Sequence, residues 1–162
     1  MHVFMVYVRD ENFSQLLPEE LNNSRSDNGR IKVIAFPPLG IQTLAPVLRR
    51  HGHRVRLFDT CHPQMQAEHL CRAVEEERPD VVALSCLSTS TYPALKNLAR
   101  RLKSAAPKIP LIAGGAFVTM NSDRILQDCP DLDCVGVRGR RTPAGLPGQV
   151  RRPRRSSRSG LA

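Results

Sequence analysis

A chain of 162 residues is the size of one ordinary domain, and 41% apolar residues suffice for a single core. The formal charge of +9 points to nucleic acid until it is located: eight of the 24 basic residues, and none of the 15 acidic ones, lie from Arg138 onward. The preceding chain carries 16 basic against 15 acidic residues and is near neutral, so the basicity belongs to a tail and not to the body.

Aromatic residues make up 4% and Trp is absent, so the core is expected to be aliphatic. No apolar run approaches the roughly 18–20 residues that cross a bilayer. Met1 to Val8 is too short for a secretory signal, and Arg9-Asp10-Glu11 follows it. The five cysteines (Cys61, Cys71, Cys86, Cys129 and Cys134) are odd in number and form no Cys-x-x-Cys pair. They read as reduced thiols in a cytoplasmic protein.

His2 to Val8 is a short β-rich run and the expected first strand. Residues 9–30 are polar, with turn chemistry at Asn22-Asn23-Ser24 and Asp27-Asn28-Gly29. A connection of that length is unusual inside a small domain; it is expected either to move or to lie across a ligand. Ile31 to Phe36 is a second β-like run. Pro37-Pro38-Leu39-Gly40 turns the chain into a helix with Ile41, Leu44, Ala45 and Leu48 on one apolar face. Pro46 predicts a start near Thr43, which would put the proline in the first turn, where amide hydrogens lack partners anyway. Arg49, Arg50 and His51 suit the helix C-terminus, and Gly52 is the expected cap.

Arg54 to Asp59 alternates and reads as a strand. A helix is expected from Pro63, burying Ala67, Leu70, Cys71 and Val74, with Glu75-Glu76-Glu77 against the dipole, Arg78 in partial compensation and Pro79 as the stop. Val81 to Leu84 is a buried strand. A third helix runs from about Tyr92 to Ser104, with Leu95, Leu98, Ala99 and Leu102 inward and Lys96, Arg100, Arg101 and Lys103 outward. Leu111 to Ala113 is another buried strand, Asn121 or Ser122 caps a short helix with Ile125 and Leu126, and residues 134–137 form a last strand.

Apolar strands alternating with amphipathic helices predict a parallel sheet covered on both faces. Few right-handed topologies remain, and five strands fit the order 2-1-3-4-5 of a flavodoxin-like Rossmann three-layer α/β sandwich. Its ligand crevice lies at the carboxyl ends of the strands. Residues 140–162, rich in Arg, Pro, Gly and Ser without apolar period, are expected to be a disordered tail.

Two loops at that edge carry the functional signal. After the third strand come Ser85, Ser88, Thr89, Ser90 and Thr91. Thr91 alone would cap the following helix, so the surplus of hydroxyls favours contact with a polar ligand. After the fourth strand come Gly114 and Gly115, which allow positive φ and close approach of a bulky group, though an ordinary turn would use them too. Cys61, His62, His69 and Cys71 fit no standard zinc spacing, and no metal site is expected. Cys86 reads as a small packing residue. The basic tail lacks interleaved aromatics, which argues against a nucleic-acid partner.

The motifs Pro37-Pro38-Leu39-Gly40-Ile41, Gly52-His53-x-Val55, Pro79-Asp80-Val81-Val82, Ser85-x-Leu87, Gly114-Gly115 and Asp133-x-Val135-x-x-x-Gly139 occur here in a set order and spacing. In this pattern residues 1–139 resemble the N-terminal cobalamin-binding domain of B12-dependent radical S-adenosylmethionine proteins. That group includes methylases, hopanoid methylases among them, and oxidative cyclases of the magnesium-protoporphyrin ester type. The resemblance implies that Ser85 and Leu87, with Thr89 and Ser90 beside them, line the tunnel for the nucleotide tail of cobalamin. It implies that the tail lies against Gly114 and Gly115, that Pro38, Leu39 and Gly40 sit near the corrin, and that Gly139 closes the motif set.

Two departures qualify it. Methyl-transfer B12 domains carry Asp-x-His-x-x-Gly after strand one, whose His ligates cobalt. Here Arg9-Asp10-Glu11 follows, and Asp59-Thr60-Cys61-His62 lies in a different loop, so cobalamin is expected to bind without a protein histidine. The family continues into a barrel with Cys-x-x-x-Cys-x-x-Cys, which this sequence lacks. No catalytic residue is therefore expected, and a 4Fe–4S cluster and S-adenosylmethionine belong only to a missing domain. The expectation is a truncated or frameshifted fragment presenting cobalamin to a radical S-adenosylmethionine domain or subunit. The alternatives are a non-catalytic domain for another nucleotide-tailed ligand, or an adaptor acting through its basic tail.

Overall fold

The computed structural model describes residues 1–8, 39–60, 67–137 and 150–151. Its elements are β1 (His2–Tyr7), α1 (Leu39–Arg50), β2 (Arg54–Asp59), α2 (Ala67–Glu77), β3 (Val81–Ser85), α3 (Tyr92–Ala105), β4 (Leu111–Gly114), α4 (Ala116–Met120), α5 (Ser122–Asp128), β5 (Cys134–Gly136) and β6 (Val150–Arg151). The strand order is β2-β1-β3-β4-β5-β6, and the first five strands are parallel. This is the flavodoxin-like order 2-1-3-4-5 expected of the sequence. The sixth strand was not expected: Val150 and Arg151 pair antiparallel with Gly136 and Val135 at the far edge. The β-like run at 31–36, the turn residues at 22–29 and the rest of the tail lie outside the described residues, as do Pro38 and Gly139.

Alternation along the strands sorts the core into two layers. Phe4, Val6, Phe58, Val82, Leu84, Leu111, Ala113 and Val135 face one side, where α2, α3, α4 and α5 cover them with Leu70, Val74, Leu95, Leu98, Val118 and Ile125. Val3, Met5, Val55 and Val81 face the other side, against Ile41 and Ala45 of α1. Each large side chain fully buried here stabilises the fold by about 1.5–3 kcal/mol. Phe4 and Phe58 stack at 4.8 Å in the centre of the first layer.

Three local expectations are corrected. The first helix begins at Leu39, so Pro46 sits inside it. Gln42, whose carbonyl loses its helical partner to the proline ring, is exposed, so water is available to that carbonyl. Only Ile41 and Ala45 of the expected apolar face are buried, with Leu48 half-buried and Leu44 exposed. Gly52 does cap α1, at φ +78°, with the His53 amide donating to the Leu48 carbonyl.

At the end of α2, Glu77 is not left to face the dipole alone. It pairs with Arg54 and Arg56 of β2, on the far side of β1 from its own element's following strand. Arg78 takes up φ +43° and closes α2 by donating its amide to the Val74 carbonyl. Asn121 precedes α5, yet its side chain donates to the Phe117 carbonyl and leaves the helix uncapped by a side chain. The outward cations of α3 are tied to neighbours: Lys96 to Asp128, Arg101 to Glu68 and Lys103 to Asp133.

Candidate functional site

The parallel strands all end at one edge, where β3 and β4 release their loops side by side. Tyr7, Ser85 and Gly114 are register partners on β1, β3 and β4. Alternation puts Ser85 and Gly114 on the face that carries Val81, Ala83 and Ile112, the face of α1. The N-terminus of α1, with Leu39 and Gly40 exposed, reaches the same edge, because its C-terminus feeds the start of β2.

Ser85 is the informative residue. Its Oγ is buried and has no hydrogen-bond partner among the described residues. Burying a hydroxyl without a partner costs about 1–3 kcal/mol, so this hydroxyl has a hydrogen bond to offer a ligand. Next to it, a Cβ built on Gly114 meets no described atom within 4 Å. A hydroxyl without a described partner, in register with a glycine whose missing side chain leaves room among the described atoms, is what a polar, bulky ligand group needs. The residues present therefore fit a nucleotide-tailed cofactor at this point.

Gly115 behaves differently. Its φ is +116°, and an added Cβ would overlap the Cys86 carbonyl oxygen and lie 2.9 Å from the carbonyl carbon. The glycine is thus required by the neighbouring loop and not by open space. The Cys86 amide donates to the Gly114 carbonyl at 2.8 Å, and the Cys86 thiol donates to the Ser88 carbonyl at 3.4 Å.

Ser88 organises the rest of that loop. Its Oγ shares hydrogen bonds with Ser90 Oγ at 2.9 Å and Thr91 Oγ1 at 2.8 Å, and it accepts from the Thr91 amide at 3.4 Å. Thr91 stands at the N-cap of α3 but makes no side-chain cap bond, because its hydroxyl is committed to Ser88. The hydroxyl run thus divides: Ser90 and buried Thr91 both bond Ser88, whereas Ser85 has no partner among the described residues. Thr89 is exposed, and its carbonyl accepts from the Tyr92 amide. Leu87 is 54% exposed at the loop tip, the open position that packing on a ligand calls for. The sequence singled out the hydroxyl run but did not distinguish Ser88 as its hub, since that depends on how the loop closes.

A clamp behind the loop holds it to the domain. Tyr92 Oη donates to Asp128 at 2.8 Å, Lys96 reaches the same oxygen at 2.9 Å, and the Tyr92 ring tilts against Phe117 at 5.6 Å. Burial, then the bond to Asp128, pushes the Tyr92 hydroxyl well above its usual range. The hydrogen bonds from Lys96 and Tyr92 hold Asp128 below the usual carboxylate range. Cys71, Cys86, Cys129 and Cys134 are thiols; burial raises Cys71 and Cys129 above the ordinary thiol value. Among the described residues no group of three or more His, Cys, Asp or Glu side chains is placed to hold a metal ion. No described helix is long and apolar enough to cross a membrane.

Comparison with known proteins agrees with this geometry. Residues 34–145 match the B12 binding domain family. The chain is 35% identical over 103 residues to a hopanoid C-3 methylase of Methylococcus capsulatus, covering 63% of this chain and 20% of that protein. It is 27% identical over 103 residues to an uncharacterized methyltransferase of Pyrococcus horikoshii, covering 64% of this chain and 22% of the other. It is 29% identical over 111 residues to an anaerobic magnesium-protoporphyrin IX monomethyl ester cyclase of Synechocystis, covering 68% and 22%. The chain thus spans about a fifth of the length of these relatives. Methylases and cyclases of these kinds are the groups to which the motif order pointed.

Proposed function

This chain belongs to the B12-binding domain family, and from that membership we propose that it holds cobalamin, without a protein histidine on cobalt, and presents it to a radical S-adenosylmethionine domain. The observation that carries the reading is the buried, unpartnered Ser85 hydroxyl in register with the open position at Gly114. Ser85 bonds the nucleotide tail, Leu87 packs on it, and Gly114 leaves room for it. Leu39 and Gly40, at the head of α1 on the same edge, lie under the corrin; Pro38 and Gly139, expected to join them, fall outside the described residues.

Bound cobalamin supplies a cobalt centre suited to methyl or radical transfer. The chain itself binds and orients; the relatives named as methylases, methyltransferases and cyclases support a partner that does the bond-making. The fragment reading rests on the cluster motif that this sequence does not contain and on the arginine-rich run from Arg138; Val150 and Arg151 within that run nonetheless pair with β5, so the sheet extends beyond residue 139.

Purified chain incubated with hydroxocobalamin and desalted should keep a corrin absorption band in equimolar amount. Complete loss of colour would sink the cobalamin reading. Residues 9–38 contain no histidine, so the paramagnetic spectrum of the reduced, bound cofactor should be the same in the parent and in His62→Ala. A nitrogen splitting that disappears in that variant would overturn the histidine-free reading.

A further inference from the structure

We propose that Gly115, unlike its neighbour, does not face the ligand: it is a positioning residue that seats the β3–α3 loop, while Gly114 keeps the tail-facing role that the family resemblance implies. Treated as a pair, both would be read as ligand-facing. Their surroundings differ completely. A methyl group on Gly115 would collide with the backbone of Cys86, and φ +116° is strained for any side chain. A Cβ on Gly114 meets no described atom within 4 Å, and its φ lies outside the left-handed region.

The collision matters because Cys86 stands between the two residues expected to touch the ligand, Ser85 and Leu87. Its amide is tied to Gly114 and its thiol to the Ser88 carbonyl, and Ser88 in turn holds Ser90 and Thr91. The Gly115–Cys86 backbone contact is therefore the point at which β4 sets the height of the whole loop. Carbonyl and glycine are both main chain, so no rotamer change relieves an added methyl group; the loop has to move. At Gly114 an added Cβ meets no described atom within 4 Å, on the strand face that also carries Ser85.

The Gly114 assignment rests on the cobalamin reading; the Gly115 assignment is tested in the apoprotein. In apoprotein, Gly115→Ala should speed amide hydrogen exchange across residues 86–91 by about tenfold or more, while β1 keeps its protection. Its hydroxocobalamin Kd, measured well below the melting midpoint, should rise by about tenfold or more. A purely structural role would leave that Kd unchanged, and unchanged exchange at 86–91 overturns the seating role.

Gly114→Leu should keep the parent melting midpoint and the parent exchange at 86–91, yet weaken hydroxocobalamin binding by about tenfold to a hundredfold, the usual effect of filling an occupied site. A parent-like Kd, or a chain that no longer folds, overturns the Gly114 assignment. A parent chain that retains no hydroxocobalamin removes the function and the Gly114 role together, and the exchange measurement still decides Gly115.

Discussion

Ser85 shows how one residue sets function against stability. Its hydroxyl sits buried and unpartnered at the end of β3. Ser85→Ala should therefore raise apoprotein stability by about 1 kcal/mol, by removing an unsatisfied polar group, while weakening cobalamin binding by about tenfold. Urea unfolding and an absorption titration measure the two signs separately; a loss of both would make Ser85 an ordinary structural residue. His2 makes a different prediction. Its Nε2 lies 3.7 Å from Glu77, but that carboxylate is taken by Arg54 and Arg56, so the contact is not an ion pair at neutral pH. Burial first, then Arg54, lowers the His2 pKa, against a raising effect from Asp80, with Arg56 and the N-terminal amine also lowering it. A lowered folded-state value means that the unfolded chain binds the proton more tightly. Stability from this group is present above the ordinary histidine range and is lost as pH falls below it. Unfolding midpoints between pH 5 and pH 7.5, values about the histidine range, should show that slope in the parent and a shallower one in His2→Phe. The sequence singled out Ser85 but not His2, and the burial of both polar groups arises only from the packed sheet.

At the scale of elements, the helices follow their apolar periods, and the departures lie at their ends. α3 runs from Tyr92 to Ala105 with Ala94, Leu95, Leu98, Ala99 and Leu102 buried, as its spacing predicts. α1 carries Pro46 in its interior because Ile41 and Ala45 anchor the turns before and beside it while the proline stays in solvent. α2 ends on Arg78 in the left-handed region, where glycine is the usual choice. Arg78 is exposed, so Arg78→Gly should relieve the strain at little loss of packing and stabilise the domain by about 0.5–1 kcal/mol. A shift of the urea midpoint upward with unchanged slope checks it; a downward shift would mean that the arginine side chain contributes more than its backbone costs. Helix ends are poorly legible because a single residue in an uncommon conformation is fixed by the direction the chain takes next, here through Pro79 into β3, and not by its own preference.

For the molecule as a whole, a cofactor that binds only the folded chain must stabilise it. At free hydroxocobalamin a hundredfold above Kd, unfolding should become harder by about 2.7 kcal/mol, and the melting midpoint should rise with cofactor concentration. A midpoint indifferent to the cofactor would contradict binding at a site built by folding. Gly114→Leu should abolish most of that shift without moving the apoprotein midpoint.

Read alone, the sequence determined the alternation of strands and helices, the parallel order 2-1-3-4-5, the family and the two loops that matter. These depend on periodicity and local motifs, which are written in consecutive residues. The tertiary structure alone decided that Ser85 has no partner among the described residues while Ser90 and Thr91 both bond Ser88, that a Cβ on Gly115 would strike Cys86 while one on Gly114 meets no described atom, and that Val150 and Arg151 pair with β5. Each of those depends on which atoms from distant parts of the chain meet at the sheet edge, and side-chain direction and loop height there are set by strand register and backbone contact across β3 and β4.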